Sequence, residues 1–174
     1  MTGRRSRAIG ASALVPAPPE AVFSFLSDLE NHWELGGPFI EVLRLDRPGR
    51  GVPADGGRVR MRGPLGVGRT AETRVTGAVA PHEMRGEARI GGTTRGHVLW
   101  TLHPDHRGTR VTLEATPVAA APLDRALLAL GGRPWLRRRF EEVLRRLAAR
   151  LSTLNASSSD EPAAQDRARA PALR

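Results

Sequence analysis

The sequence predicts a single α+β domain in which an antiparallel sheet is covered on one face by helix. Three observations predict it. Runs that alternate apolar and polar residues recur between residues 39 and 115, a proline-rich stretch leads into helical spacing near residue 20, and a long amphipathic segment closes the domain. Period two marks a half-buried strand, and a recurrence near 3.6 residues marks an amphipathic helix.

Residues 8–15 read as a short strand ended by Pro16, Pro18 and Pro19. Proline is tolerated in the first turn of a helix, where its missing N–H has no partner to lose. From Glu20 the apolar positions Val22, Phe25, Leu26 and Leu29 follow helical spacing, with Phe23 beside them. Ser27 and Glu30 have capping-box spacing, which predicts a second short helix through His32 and Trp33, stopped by Gly36, Gly37 and Pro38.

Six further strands are expected at 39–45, 57–63, 68–79, 84–90, 96–102 and 109–115, with turn signals such as His103-Pro104-Asp105-His106 and Thr116-Pro117 after them. Val59 and Met61 alternate with Arg58, Arg60 and Arg62, and Val111, Leu113 and Ala115 alternate with Arg110, Thr112 and Glu114. One face is apolar and the other wet, the signature of an antiparallel sheet covered on one side. The same alternation sends Ala71, Thr73 and Val75 inward, then Met84, Gly86, Ala88 and Ile90, then Val98, Trp100 and Leu102. A slip at Gly77 or Gly91 would exchange the faces locally.

The cover comes from residues 124–151, which break at Gly131-Gly132 and restart near Pro134. Leu136, Phe140, Val143, Leu144, Leu147 and Leu151 share one face, and Glu141–Arg145 and Glu142–Arg146 form i,i+4 pairs on the other. From Trp135 to Leu151 such a helix is about 25 Å long, enough to cross several strands. The domain is expected to span residues 8–152, between a basic N-terminal arm (1–7) and a tail (153–174) expected to be disordered, since residues 155–174 hold no large apolar residue besides Leu173.

Composition narrows the chemistry. The 174 residues, 40% of them apolar, suffice for one domain with a core. No apolar run reaches the roughly eighteen residues of a membrane span, and the weakly apolar "AIGASALV" does not read as a secretory signal, so a cytoplasmic location is expected. The absence of cysteine excludes disulfides, thiol nucleophiles and cysteine zinc sites. The chain also lacks tyrosine, and all 27 basic residues are arginine, which excludes lysine Schiff bases and phosphate-loop lysines. An all-arginine basic set beside abundant Ala, Gly and Pro reads as GC-rich codon usage, so the net charge of +9 does not by itself imply a nucleic-acid partner, and DNA is not expected.

The order of elements resembles the START-like (SRPBCC) superfamily, and most of all its polyketide cyclase/dehydrase-like branch. The residues that carry the resemblance are "VPAPPEAVFSFLSDLENHWEL" (15–35), "VLWTLHPDHRGTRVTLEA" (98–115) with Trp100 and the Gly108-Thr109 pair, and "RPWLRRRFEEVLRRLAARL" (133–151). The resemblance covers residues 8–151 and implies a helix-grip fold, a curved sheet wrapped around the long helix with a cavity between them. Phe23, Phe25 and Trp33 would form the wall and mouth of that cavity. The function it implies is binding or transport of a small hydrophobic ligand such as a lipid, an isoprenoid or a polyketide-like ring system. The alternative is a polyketide aromatase/cyclase. The expected pocket residues are Phe25, Trp33, Met61, Ala71, Thr73, Met84, Gly86, Ala88, Val98, Trp100, Leu113 and Phe140. Alternation alone leaves open whether the small ones admit the helix closely or leave space.

No catalytic set, cofactor or metal is expected. His103-Pro104-Asp105-His106 reads as a hairpin turn rather than a metal site, because no further ligand stands at a recognisable spacing. "GPLGVGRTA" (63–71) has dinucleotide-like glycines but joins two strands with no helix after it. Glu72, Arg74, Glu87, His97 and Glu114 fall on the wet face, and His32, beside Trp33, is the one histidine placed for a ligand or proton-transfer role. Trp100 reads as core wall and Trp135 as a packing anchor. Arg137, Arg138, Arg139, Arg145, Arg146 and Arg150 make the last helix basic, so contact with an anionic membrane or RNA is a second alternative.

Overall fold

A strand at Ile9–Val15 (β1) is followed by helices Pro19–Ser27 (α1) and Leu29–Glu34 (α2) and a 3-10 turn over Gly37–Phe39. Six strands come next: Ile40–Asp46 (β2), Gly56–Arg62 (β3), Gly68–Val79 (β4), Glu83–Ile90 (β5), Thr94–Asp105 (β6) and Gly108–Ala119 (β7). Helix Pro122–Leu127 (α3) passes through a kinked turn, Leu128–Gly132, into the long helix Arg133–Asp160 (α4). The computed structural model describes residues 8–63 and 68–160, with side chains described to Leu154; the basic arm, residues 64–67 of the 63–71 glycine stretch and residues 161–174 lie outside the described residues.

The strands form one curved antiparallel sheet in the order β1-β7-β6-β5-β4-β3-β2, and with the long C-terminal helix they make the helix-grip fold. The order is a meander from β2 to β7, closed by β1 returning beside β7, so neighbouring strands need only short connections. Register shifts between Val42 and Arg44, Val75 and Gly77, and Arg95 and Gly96 mark bulges, which bend and twist a sheet. The middle one falls beside Gly77, one of the two positions where a slip is anticipated.

Local chemistry explains the boundaries. Pro19 opens α1 directly after the extended Pro18. α2 is capped by Asp28, whose carboxylate accepts from the Glu30 N–H at 3.0 Å, and not by Ser27. Ser27 is still helical, and its hydroxyl donates back to the Phe23 carbonyl at 2.8 Å. The backbone turns extended at Asp28 (φ −91°, ψ 111°), and that residue closes one helix and starts the next.

Two strands are longer than expected. β6 continues through His103 and Pro104 to Asp105, leaving His106 and Arg107 as the turn. β7 runs through Pro117 to Ala119. Pro117 is tolerated because the β1–β7 ladder ends at the Ile9–Ala115 pair, so beyond it β7 has no strand on that side among the described residues. The Gly108-Thr109 pair has a physical role. Gly108 adopts φ +134°, and a Cβ there would lie 2.2 Å from the Val15 carbonyl oxygen. The fully buried Thr109 donates its hydroxyl to the Ala17 carbonyl at 2.7 Å. The pair thus pins the turn between β1 and α1.

The core joins Val15, Val22 and Leu26 to Trp100, Leu102, Val111 and Leu113 and to Leu144, Leu147 and Leu151 of α4. α4 packs into one core with residues of β1, β5, β6 and β7. It lies along β1 and meets β7 at fewer points, while α1 lies over β6 and β7 and α2 against β2. The α2 end packs on the flank of α4 through Arg150–Glu34 at 3.1 Å and a bond from Arg146 to the Leu35 carbonyl at 3.4 Å. Along α4, Glu142 takes Arg146 at 2.9 Å and Arg145 as well, while Glu141 takes Arg137 at 3.1 Å. The expected Glu141–Arg145 pairing is replaced in this way. The helix continues to Asp160, so the stretch expected to be disordered from residue 153 begins as helix.

Candidate functional site

The pleat brings Val75, Gly86 and Val98 into one cross-strand row on the inner face, with Met84 and Trp100 paired next to it. Leu29, His32 and Trp33 of α2 sit above that row, and Thr73 joins from β4. Between them lies a cavity of about 60 Å³. Arg74, Arg85 and Glu87 border it from positions whose side chains alternate to the exposed face. Gly86 brings no side chain to this row, and a Cβ there would meet the Arg74 carbonyl oxygen of β4 at 3.0 Å.

Most of the lining is aliphatic or aromatic, yet four buried polar atoms in it have no hydrogen-bond partner: His32 Nδ1, Trp33 Nε1, Thr73 Oγ1 and Trp100 Nε1. They are the only such side-chain atoms among the described residues. Buried polar atoms are normally satisfied, and leaving one unpaired costs about 1–3 kcal/mol. All four belong to residues that line this one cavity, which marks it as the candidate site. The His32 ring meets Trp100 edge-on at 5.0 Å between centroids and leans on Trp33 at 5.3 Å. Burial pushes the His32 pKa down to about 4, against the raising effect of a hydrogen bond with the Leu26 backbone. The imidazole is thus neutral at physiological pH. The lining residues carry two indole N–H donors, one hydroxyl and one neutral imidazole, with Arg74, Arg85 and Glu87 at the border. That set suits an oxygen-bearing, otherwise apolar molecule.

Of the residues the sequence proposes for a pocket, Trp33, Thr73, Met84, Gly86, Val98 and Trp100 line this cavity, and six do not. Leu113 belongs to the core beneath α4, and Phe140 packs against it. Phe23 and Phe25 also pack on that core under α1, and Phe25 borders a separate surface groove with Leu35 and Arg146. Ala71 is buried, Met61 and Ala88 are half-buried, and none of the three meets the cavity. Trp135 is a packing contact, edge-on to Phe39 at 5.2 Å.

A second inward polar group joins Arg69 to Asp124 and Thr94, neither of which the sequence reading singles out. Arg69 binds Asp124 at 2.6 Å, Thr94 donates its hydroxyl to the same carboxylate, and the Ala121 N–H donates to Thr94 Oγ1 at 3.1 Å. Extending the alternation back two residues from Ala71 and from Gly96 would have placed Arg69 and Thr94 inward. Every member has a partner, so the network reads as the clasp that holds α3 on the end of the sheet. At the β6–β7 turn, the Asp105 carboxylate accepts from the Arg107 N–H at 3.1 Å and pairs with Arg110 and His106, which makes it a turn clamp. The Arg107 N–H is the main cause holding Asp105 below the ordinary carboxylate pKa. No group of three or more His, Asp or Glu among the described residues could hold a metal ion.

A family model described as polyketide cyclase/dehydrase and lipid transport matches residues 7–152. No curated protein matches the chain. Among solved structures, one from Thermus thermophilus superposes with a TM-score of 0.64 at 22% identity, covering 85% of this chain and 99% of that one. A protein from Rhodobacter sphaeroides gives 0.61 at 21% identity over 88% and 97% of the two chains. A START superfamily protein from Mycobacterium smegmatis gives 0.61 at 17% identity over 84% and 98%. At these identities the likeness concerns the fold alone.

Proposed function

Because the chain belongs to the polyketide cyclase/dehydrase and lipid transport family, we propose that it binds a small, mostly apolar molecule with at least one hydrogen-bonding oxygen in the cavity beneath α2. Lipids, isoprenoids and polyketide-like rings bearing carbonyl or hydroxyl groups are the classes in view. The observation that carries this reading is that all four unpartnered polar atoms belong to residues lining one cavity. A bound oxygen would relieve the indole donors or the Thr73 hydroxyl, and the apolar body of the ligand would gain burial. The cavity of about 60 Å³ is smaller than the ~150 Å³ that accommodates benzene and far below the ~300–1,000 Å³ of a typical ligand pocket. Binding therefore goes with a displacement of α2.

The test is titration of the purified protein with lipids, isoprenoids and hydroxylated or ketonic aromatics, read by tryptophan fluorescence and thermal shift. Trp33 and Trp100 line the cavity and Trp135 lies away from it, so a Trp135→Phe protein isolates the signal. A binder should change the emission and raise the melting temperature by mass action. Silence in both across the whole panel, with no co-purifying molecule in native mass spectrometry, would overturn the proposal.

One observation favours the cyclase reading as second choice: His32 faces the cavity. A base with a pKa near 4 is weak at neutral pH, which favours binding over proton transfer. A His32-dependent cyclisation of a linear poly-β-ketone, abolished in His32→Gln with an acid limb near pH 4, would reverse that preference.

A further inference from the structure

We propose that the segment from the end of β7 to the start of α4 is a docking surface for an anionic lipid membrane. The segment exposes more large apolar side chain than any comparable stretch of the described chain. Leu130, at the kink, is 85% exposed, and Leu123 and Val118 are 61% and 57% exposed. Leu123 and Ala126 stand one turn apart on the outer face of α3, and Leu130 protrudes from the kink that follows it. Exposed apolar groups so concentrated mark an interaction surface rather than scatter.

The charges around these residues say what covers them. From Pro117 to Arg139 the sequence holds five arginines and one acid, Asp124. That acid is already bound to Arg69 and Thr94. Arg125 and Arg133, with Val118, Leu128 and Ala129 between them, border an open groove of about 530 Å³. Arg125, Arg133 and Arg138 make no ion pair among the described residues. Unpaired guanidiniums beside protruding leucines match a phosphate-bearing surface with an acyl layer beneath it. RNA fits less well, because stacking needs exposed aromatic rings and the one tryptophan of the segment, Trp135, is packed against Phe39. No helix among the described residues is long and apolar enough to cross a membrane, so the contact is peripheral.

The test is vesicle sedimentation with the full chain. It should bind vesicles of phosphatidylcholine mixed with phosphatidylglycerol and ignore phosphatidylcholine alone. Arg125→Glu with Arg133→Glu should weaken binding by on the order of twentyfold or more. The charge-matched pair Arg50→Glu with Arg107→Glu, in loops at the opposite end of the strands, should retain most of it. Leu123→Ser with Leu130→Ser should remove the part of the binding that survives high salt. A Leu130→Trp protein should shift its emission to shorter wavelength on the anionic vesicles, a readout independent of whether the charge variants fold. Equal losses in the two arginine pairs would reduce the effect to net charge and overturn the proposal. So would salt-dependent binding of an RNA oligonucleotide with no vesicle binding, or self-association in solution that the leucine changes abolish.

Discussion

Thr73 shows at the scale of one residue what a binding site costs a fold. Its hydroxyl is buried in the cavity without a partner, and valine has the same shape without the polar atom. Removing an unsatisfied hydroxyl recovers part of its ~1–3 kcal/mol desolvation penalty, so Thr73→Val should raise the melting temperature by a few degrees and weaken ligand binding together. A lower melting temperature would mean that the hydroxyl is satisfied in the free protein. His32 makes the complementary prediction in pH. Its folded value of about 4 lies below the unfolded 6.5, so between them the unfolded chain holds a proton that the folded chain excludes. Stability from this group is complete above 6.5, declines as pH falls towards 4 and is flat below, a swing of at most about 3 kcal/mol. Urea midpoints of the native protein and of His32→Gln, measured from pH 7 to pH 4, should diverge in that sense. A gap between the two that stays constant with pH would remove the buried neutral imidazole from the account.

At the scale of elements, α2 depends on a cap that spacing alone assigns to the wrong residue. Asp28→Ala should cost about 0.5–2 kcal/mol, because Asp28 holds the Glu30 N–H. Ser27→Ala should cost less, since it removes only a hydroxyl bonded back to its own helix. The reverse order, measured in denaturant, would restore the capping box of Ser27 and Glu30. The difference illustrates which parts of the structure are legible in the sequence. Alternation along a strand is local, so the inward positions of Thr73, Met84, Gly86, Val98 and Trp100 could be read off the chain, as could the break at Gly131. What covers an inward face is set by distant residues. Nothing near Ala88 or Met61 says that α4 lies closest to β1 while Leu29, His32 and Trp33 of α2 sit over Val75, Gly86 and Val98. Pro117 reads as a stop, and it continues β7 only because β1 has already ended beside it. Asp124 joins Arg69 and Thr94 across 55 and 30 residues of sequence, beyond any periodicity.

At the scale of the molecule, a cavity of about 60 Å³ and a ligand of useful size are compatible only if some element gives way. The packed core under α1 and α4 is the costly place to open, since Leu26, Leu144 and Leu147 are fully buried and truncating such residues costs about 2–5 kcal/mol each. α2 is the cheap one. It has six residues, and its polar ties at either end, Arg47–Glu30 and Arg150–Glu34, are solvent-exposed pairs worth about 0–1 kcal/mol each. Its anchors are the buried Leu29 and the adjoining Leu35, with His32 and Trp33 half-buried beside Trp100. Elements with so little burial open first, so the free protein should visit the open form rarely and bind only from it. The observed rate of the Trp33 and Trp100 fluorescence change should then level off as ligand concentration rises, at the rate of α2 opening. Leu29→Ala should raise that plateau, because it loosens α2 and leaves Leu26, Leu144 and Leu147 in place. A rate that climbs linearly with concentration, with a slope in the ordinary ~10⁵–10⁷ M⁻¹s⁻¹ range and no plateau in either protein, would show that the ligand meets a site already open.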